Sequence, residues 1–181
     1  MSDFHTASYQ SPGAPRILTL GEFVVQSQGM TREAFIERYP HPFLVQARDS
    51  RSESFRAVGL STRHESDLAL LNIQEPDSKV LLIYDRGVNA FAQMTTVGRA
   101  ANNDIVLHSS KVSKFHAYFS QDLDGWTIRD CGSSNGTFLE DEALEPNQAT
   151  PLKNGQMVSF GRSLRYYFTD PVTMFRRIQQ G

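Results

Sequence analysis

The sequence has 181 residues and a formal net charge of −2, with 39% apolar and 21% charged side chains. This length suits one domain with appendages or two small domains, and the nearly balanced charge argues against binding nucleic acid through a basic field. The single cysteine, Cys131, excludes an intramolecular disulfide framework, and no apolar run approaches the ~20 residues of a transmembrane helix. We therefore expect a cytoplasmic protein that neither inserts into a membrane nor binds nucleic acid.

The chain begins with a polar segment and continues with mixed elements. Residues 1–16 are rich in serine, proline and glycine, which predicts a mobile tail, and they lack the apolar stretch of a signal peptide. Ile17–Gln26 has strand-like stretches around a glycine. Thr31 is placed to cap a helix over Arg32–Tyr39, with Met30 and Phe35 at the positions of a hydrophobic staple, and Pro40 ends that helix.

Strands are expected next, at Phe43–Asp49 and around Phe55–Val58. With one clear helix and few apolar positions, residues 17–78 favour an N-terminal extension of unknown role, packed on the following domain, over an independent domain.

Residues 79–170 show a different pattern, in which short apolar or alternating runs recur between clusters of glycine, asparagine, aspartate and serine. Many short strands without a helical period predict an antiparallel β-sandwich, with its first strand near Lys79–Ile83. Asp170 followed by Pro171 predicts a helix N-terminus, so residues 171–181 should form a closing helix with Val172, Phe175 and Ile178 on one face.

Sequence signatures of catalysis are absent. The chain has no Gly-rich nucleotide loop, no HExxH and no GxSxG. His108 and His116 have no partner at ligand spacing, so we expect no metal site and no cofactor. Cys131 is typical of a small packing residue, and a Ser113–His116 pair lacks a visible orienting group and oxyanion site. We therefore expect a protein that is not an enzyme.

Hydrogen-bond donors are concentrated in three loops between predicted strands. Arg99 ends one strand, Lys111, Ser113 and Lys114 lie in the next loop, and residues 133–136 form a third. Donors that carry positive charge suit a phosphate group, and the planar guanidinium can bind two phosphate oxygens at once. The alternative is that these residue types simply make turns and that Arg99 is a surface charge.

Three segments resemble the forkhead-associated (FHA) family of phosphothreonine-binding β-sandwiches. They occur in the family's order, as GRAANNDIVLHSSKVSKFHAYF at residues 98–119, GWTIRDCGSSNGTFL at 125–139 and PLKNGQMVSFG at 151–161. The resemblance implies an eleven-stranded, two-sheet sandwich whose peptide site lies in the loops at one end.

The resemblance also implies roles for individual residues. Arg99 matches the arginine that pairs with the phosphate, and Ser113 matches a serine that hydrogen-bonds it. Lys114 supplements the phosphate contact, and Ser134 aligns with the hydroxyl residue that completes the pocket. Asn135 matches the asparagine that holds the backbone of the bound peptide.

Further positions are implied to support the site or to set its specificity. Lys111 stands where some members contact the residue three positions after the phosphothreonine, and a lysine there favours an acidic residue. Gly98, His116 and Gly136 match structural positions, of which the histidine braces the binding loop. The chain departs from the family at Leu139–Asp141 and at Gln156, outside the phosphate constellation; the acidic run at 140–145 is either near the ligand or a solvated loop.

The expected function is that of an adaptor, which binds a phosphothreonine made in a partner protein by an upstream Ser/Thr kinase. Two alternatives remain open at this point. One is a scaffold that binds protein without phosphate, and the other is self-inhibition by a phosphorylated threonine of the tail, for which Thr6 is the best placed.

Overall fold

The computed structural model describes residues 17–47, 76–88, 91 and 93–179, which form two β-sheets and three helices. No helix in these ranges has the length and apolar character of a membrane span. The helices are α1 Leu20–Ser27, α2 Arg32–Arg38 and α3 Pro171–Ile178. The strands are β1 Ile17–Thr19, β2 Phe43–Gln46, β3 Lys79–Leu82, β4 Met94–Gly98, β5 Ile105–Val106, β6 Ala117–Asp122, β7 Gly125–Asp130, β8 Thr137–Leu139, β9 Glu142–Ala143, β10 Thr150–Pro151, β11 Met157–Phe160 and β12 Leu164–Thr169.

The strands confirm the predicted two-sheet sandwich. One sheet has seven strands in the order β1-β3-β2-β12-β11-β8-β9, and the other has five in the order β10-β7-β6-β4-β5. All neighbours are antiparallel except β4 and β5, which are parallel. The described chain has twelve strands, so the expected count of eleven is one too low. Three of the twelve strands are only two residues long. A strand of two residues is too short to show the alternation of apolar and polar residues by which strands are recognised in a sequence.

The main hydrophobic core lies between the sheets. Alternate positions on facing strands point inward, as in β6, where Ala117 and Phe119 are fully buried while Tyr118 and Ser120 are less so. Both sheets contribute to this core, which includes Leu44, Leu81, Ile83, Val97, Ile128, Val158 and Phe160.

The register of the five-stranded sheet brings three strand ends together. Val97, next to last in β4, pairs with Ala117 at the start of β6, and Ala117 pairs with Asp130 at the end of β7. The loop after β4, the loop before β6 and the loop after β7 therefore all lie at the same end of the sheet's strands. These are the loops that hold the predicted site residues.

The first helix corrects the sequence interpretation of Ile17–Gln26. Only Ile17–Thr19 is a strand, and the chain then turns into α1. Thr19 is the N-cap: its Oγ1 accepts from the Glu22 N–H at 3.2 Å, while Glu22 Oε2 accepts from the Thr19 N–H at 2.9 Å. This capping box satisfies two amides at the helix start, and it outweighs the strand propensity of Val24 and Val25.

The other two helices begin as predicted. Thr31 caps α2 through a 3.2 Å hydrogen bond from the Ala34 N–H, and the helix ends before Pro40. Asp170 caps α3 through a 2.7 Å hydrogen bond from the Thr173 N–H, with Pro171 in the first turn. The buried residues of α3 are Thr173, Met174 and Arg177, with Phe175 and Ile178 packed beside them, so the inward face is shifted from the predicted one.

The predicted strand at Phe43–Asp49 is present as β2, which lies between β3 and β12 inside the seven-stranded sheet. Part of the region expected as an extension thus hydrogen-bonds into the sandwich. The three helices and this sheet enclose a second core, formed by Leu18, Leu20, Phe23, Phe35, Tyr39, Phe43, Val45, Val80 and Met174. The division of the chain at residue 78 stays a prediction. The tail of residues 1–16 and the strand expected at 55–58 lie outside the described residues.

Candidate functional site

Ser113 lies where two of the three loops meet. Its Oγ accepts a hydrogen bond from the backbone N–H of Ser134 at 3.1 Å, and the two hydroxyl oxygens lie 3.5 Å apart. Its carbonyl oxygen accepts from the Arg99 N–H at 2.9 Å. The structure thus brings Arg99, Ser113 and Ser134, which are 35 positions apart at most in the sequence, into direct or backbone contact.

The cations of the site are exposed and held at their backbones. All three cationic residues are exposed to solvent: Arg99, Lys111 and Lys114. The N–H of Ala100 bonds the Lys114 carbonyl at 3.2 Å, so the Arg99 and Lys114 side chains start from neighbouring points on the surface. Within the described residues no carboxylate forms an ion pair with any of these three cations. Their charge is therefore available to an anion.

Gly98 and Asn103 bring two of the loops close together. A Cβ on Gly98 would lie 2.2 Å from the Lys114 carbonyl oxygen and 2.7 Å from Asn103 Nδ2, so no other residue fits without movement of the backbone. The Asn103 amide donates to the carbonyls of Lys114 at 2.7 Å and Ala100 at 2.8 Å. Asn103 is a positioning residue that the sequence reasoning did not single out, although it falls within the quoted NDI motif.

His116 braces both the Ser113 loop and the Ser134 loop. The Ser113 N–H donates to Nδ1 at 3.0 Å, and Nε2 lies 3.2 Å from the Gly136 carbonyl oxygen. Because Nδ1 accepts, the proton must be on Nε2, and the ring is neutral. Burial lowers the pKa of His116, against the opposing effects of the Gly136 carbonyl and Asp130. The ring thus connects the two loops through a backbone group of each.

Asp130 fixes the turn that holds Ser134. Its carboxylate accepts from the Ser133 N–H at 3.0 Å, the Ser133 hydroxyl at 2.7 Å and the Thr137 hydroxyl at 2.6 Å. Burial raises the pKa of this carboxyl, but the hydrogen bonds from Thr137 and Ser133 outweigh that effect and lower it. Sequence reasoning missed this role; the signal was an aspartate at a strand end before two serines.

Asn135 and Gly136 connect the third loop to Lys111. Asn135 Nδ2 donates to the Lys111 carbonyl at 2.9 Å, which leaves its amide oxygen as an acceptor at the exposed surface. Gly136 has a φ of +77°, a left-handed conformation that favours glycine, and its carbonyl accepts from the Gly161 N–H at 2.9 Å. All six predicted contact residues therefore belong to one cluster of loops.

The geometry does not fit a catalytic Ser113–His116 pair. Both ring nitrogens of His116 face backbone groups, and the Ser113 hydroxyl is next to Ser134 rather than a base. Burial raises the pKa of the Cys131 thiol to about 11, which keeps it protonated and unreactive at neutral pH. The described residues hold no group of His, Cys, Asp and Glu side chains suited to a metal ion.

Two carboxylates of the acidic run at residues 140–145 are paired with groups outside the candidate site. Glu140 Oε1 accepts from the Met157 N–H at 2.6 Å, and Asp141 pairs with Arg165 at 3.1 Å. Both follow β8, which starts next to the site at Gly136 and runs away from it. These two carboxylates thus lie at the opposite end of β8 from the candidate site.

Sequence comparisons identify the family. The FHA-domain family model matches residues 95–161. The chain is 30% identical over 129 residues to the oxoglutarate dehydrogenase inhibitor of Corynebacterium diphtheriae, covering 68% of this chain and 85% of that protein. This chain belongs to the FHA-domain family. The FHA domain is a phosphopeptide-binding β-sandwich.

Other FHA proteins match over shorter stretches. The oxoglutarate dehydrogenase inhibitor of Corynebacterium jeikeium is 33% identical over 93 residues, which cover 48% of this chain and 62% of that protein. The chain thus spans about three fifths of the length of that curated relative. A solved structure of Mycobacterium tuberculosis EmbR with a low-affinity phosphopeptide is 31% identical, with a TM-score of 0.38 over 44% of this chain and 20% of EmbR.

Proposed function

We propose that this FHA protein is a non-catalytic adaptor that binds phosphothreonine in a partner protein phosphorylated by a Ser/Thr kinase. The observation that carries the proposal is the contact of Ser113 with Ser134 beside the backbone of the exposed Arg99. The cytoplasmic location expected from the sequence is part of the same proposal.

The donor set suits a phosphate in charge and geometry. Phosphothreonine carries about −1.5 to −2 charges and three acceptor oxygens. In the proposed complex Arg99 binds two of these oxygens, Ser113 and Ser134 donate hydroxyls, and Lys114 adds a second positive charge. Two or three charge-assisted hydrogen bonds at about 1.5–3 kcal/mol each supply much of the roughly 8 kcal/mol that micromolar affinity requires.

Asn135 and Lys111 extend the contact along the peptide. The amide oxygen of Asn135 accepts from a backbone N–H of the bound segment, while its Nδ2 stays on the Lys111 carbonyl. Lys111 is exposed, and a cation there favours an acidic residue three positions after the phosphothreonine. The names of the two corynebacterial relatives make a 2-oxoglutarate dehydrogenase the first partner to test.

The test is a binding selection from an oriented phosphothreonine peptide library, with Arg99→Ala as the site variant. Arg176→Ala is the matched control, because it removes the same charge from an exposed position of α3. We expect selected peptides to bind the wild type and the control equally, and Arg99→Ala to bind them roughly 100-fold more weakly, since two charge-assisted hydrogen bonds are lost.

Binding of a partner that survives both dephosphorylation and Arg99→Ala would overturn the proposal in favour of the phosphate-independent scaffold. Self-inhibition by phosphorylated Thr6 stays a prediction from the sequence, because Thr6 lies outside the described residues.

A further inference from the structure

Two aromatic side chains are exposed beside the phosphate-binding loops. Phe91 is 50% exposed and Phe115 is 39% exposed. Their rings stack with centroids 5.7 Å apart and an interplanar angle of 26°. Stacking covers part of each ring, and the exposed part of both rings is in contact with water unless another molecule covers it.

The two rings line a cleft of about 410 Å³. Its other lining residues are Thr96, Ala100, Asn102, Asn103 and Lys114. A cleft of this volume falls in the lower part of the range of roughly 300–1,000 Å³ that is typical of ligand sites. It has room for one large side chain of a peptide.

The inner wall of the cleft is fixed by hydrogen bonds. Asn103 is 2% exposed, and its Nδ2 holds the carbonyls of Ala100 and Lys114 at 2.8 and 2.7 Å. Thr96 is 1% exposed, and its hydroxyl bonds Asp104 at 2.7 Å. Because the Asn103 amide nitrogen and the Thr96 hydroxyl are already paired, an entering apolar side chain does not deprive either of them of a partner. The cleft is therefore formed before a ligand arrives.

The cleft is continuous with the proposed phosphopeptide site. Lys114 belongs to both, and Ala100 directly follows Arg99. Phe115 lies on the chain two residues after Ser113, whereas Lys111, which Asn135 holds, lies two residues before it. Along the chain, the cleft residue Phe115 and the Lys111–Asn135 contact thus lie on either side of Ser113.

We propose that the Phe91–Phe115 cleft binds an apolar side chain, aromatic or branched aliphatic, of the phosphothreonine partner itself. The bound segment then presents a phosphothreonine to Arg99 and Ser113 and an apolar residue, a few positions away, to the stacked rings. The proposal rests on the proposed function, and it adds an apolar determinant to the partner's sequence. Lys114 is the one charged residue among those that line the cleft, so the preference for an apolar side chain comes from the two rings rather than from charge.

The experiment uses pairs of phosphothreonine peptides that differ at one flanking position, leucine or phenylalanine against alanine, with the position scanned on both sides of the phosphate. Affinities are measured for the full chain, for Phe115→Ser and for Leu123→Ala. Leu123 is the matched control: it is a fully exposed apolar residue in the β6–β7 turn, at the end of β6 remote from Ser113.

We expect the wild type to bind the apolar peptide of the best pair roughly tenfold more tightly than its alanine twin, as expected for burial of one large side chain. In Phe115→Ser this ratio should fall close to one while the alanine peptide keeps its affinity, and in Leu123→Ala the ratio should not change. Phe91→Ala changes the more exposed of the two rings and should also lower the ratio of the two peptide affinities. This variant replaces Phe115→Ser in the experiment if Phe115→Ser does not fold.

The results separate this inference from the proposed function. Phosphate-dependent binding with no apolar preference at any position would overturn the inference and leave the proposed function intact. If the wild type binds no phosphopeptide, both the proposed function and the inference about the cleft are wrong. If Phe115→Ser converts a dimer to a monomer without changing the peptide preference, the rings form a contact between copies of this chain and the inference is wrong.

Discussion

His116 connects two loops of the site through the two nitrogens of its ring. The hydrogen bond from the Ser113 N–H requires an unprotonated Nδ1. Protonation of the ring would place the Nδ1–H opposite the Ser113 N–H, and the hydrogen bond would be lost. Since burial lowers the pKa of His116, the folded protein resists that protonation more than the unfolded chain does, whose histidine has a pKa of 6.5. Stability from this residue is therefore complete above pH 6.5 and is lost as the pH falls below it.

We predict that the free energy of unfolding falls between about pH 7.5 and about pH 5, and that His116→Asn weakens this dependence. The variant should be less stable at the upper pH by about 1–3 kcal/mol, because a buried network loses a partner, and the difference from the wild type should narrow in acid. Urea titrations at both pH values measure this. His41, whose pKa is also lowered by burial, contributes to the pH dependence that remains in the variant. Parallel pH profiles of the two proteins would contradict the assignment.

Short elements of the N-terminal region are set by their capping residues. Thr19 is both the last residue of β1 and the N-cap of α1. Its side chain accepts a hydrogen bond from the backbone N–H of Glu22, and the Glu22 side chain accepts one from the backbone N–H of Thr19. The hydrogen bonds from Thr19 also lower the pKa of Glu22. A strand that changes into a helix at one threonine explains why the apolar pattern of Ile17–Gln26 was misinterpreted.

Replacing Thr19 by alanine should lower the free energy of unfolding by about 1 kcal/mol, since the N-cap hydrogen bond is lost while the packing of Leu20 and Phe23 remains. Denaturant unfolding followed by circular dichroism measures the change. Gln26→Ala, at an exposed position of the same helix, serves as the control and should leave stability within a few tenths of a kcal/mol. Equal stability of Thr19→Ala and the wild type would show that the N-cap hydrogen bond to the Thr19 side chain contributes nothing.

The sequence predicted the elements that carry local signals and missed those set by distant contacts. Thr31 and Asp170 were recognised as caps because a cap and its helix are adjacent in sequence. The loops of Ser113 and Ser134 were recognised by their resemblance to a family. The bracing by Asn103 and the three bonds to Asp130 were missed, because which atoms meet depends on how the loops fold against one another.

At the scale of the whole molecule, the seven-stranded sheet separates two hydrophobic cores. The main core lies between the sheets, and the second lies between this sheet and the three helices. Phe23 is 1% exposed at the centre of the second core, with Phe35, Tyr39 and Phe43 within 5.9 Å between ring centroids. Because β2 contributes Leu44 to one core and Val45 to the other, we expect the two to unfold together.

Phe23→Ala therefore should lower the stability of the entire chain by about 3–5 kcal/mol, through lost burial and a cavity. Trp126 is the single tryptophan and packs against the main core, so its fluorescence reports on the part of the molecule that Phe23 does not touch. Fluorescence and circular dichroism transitions should shift by the same amount. Val25→Ala, at a position 67% exposed, is the control. A fluorescence transition that stays at the wild-type midpoint would show that residues 17–46 fold independently.

The most direct test of phosphothreonine binding is a calorimetric titration of one selected peptide in its phosphorylated and unphosphorylated forms, against the wild type and Arg99→Ala. We predict micromolar binding of the phosphorylated form to the wild type alone, with every other combination weaker by roughly 100-fold. Equal binding of both peptide forms to the wild type, or an unchanged affinity in Arg99→Ala, would contradict it.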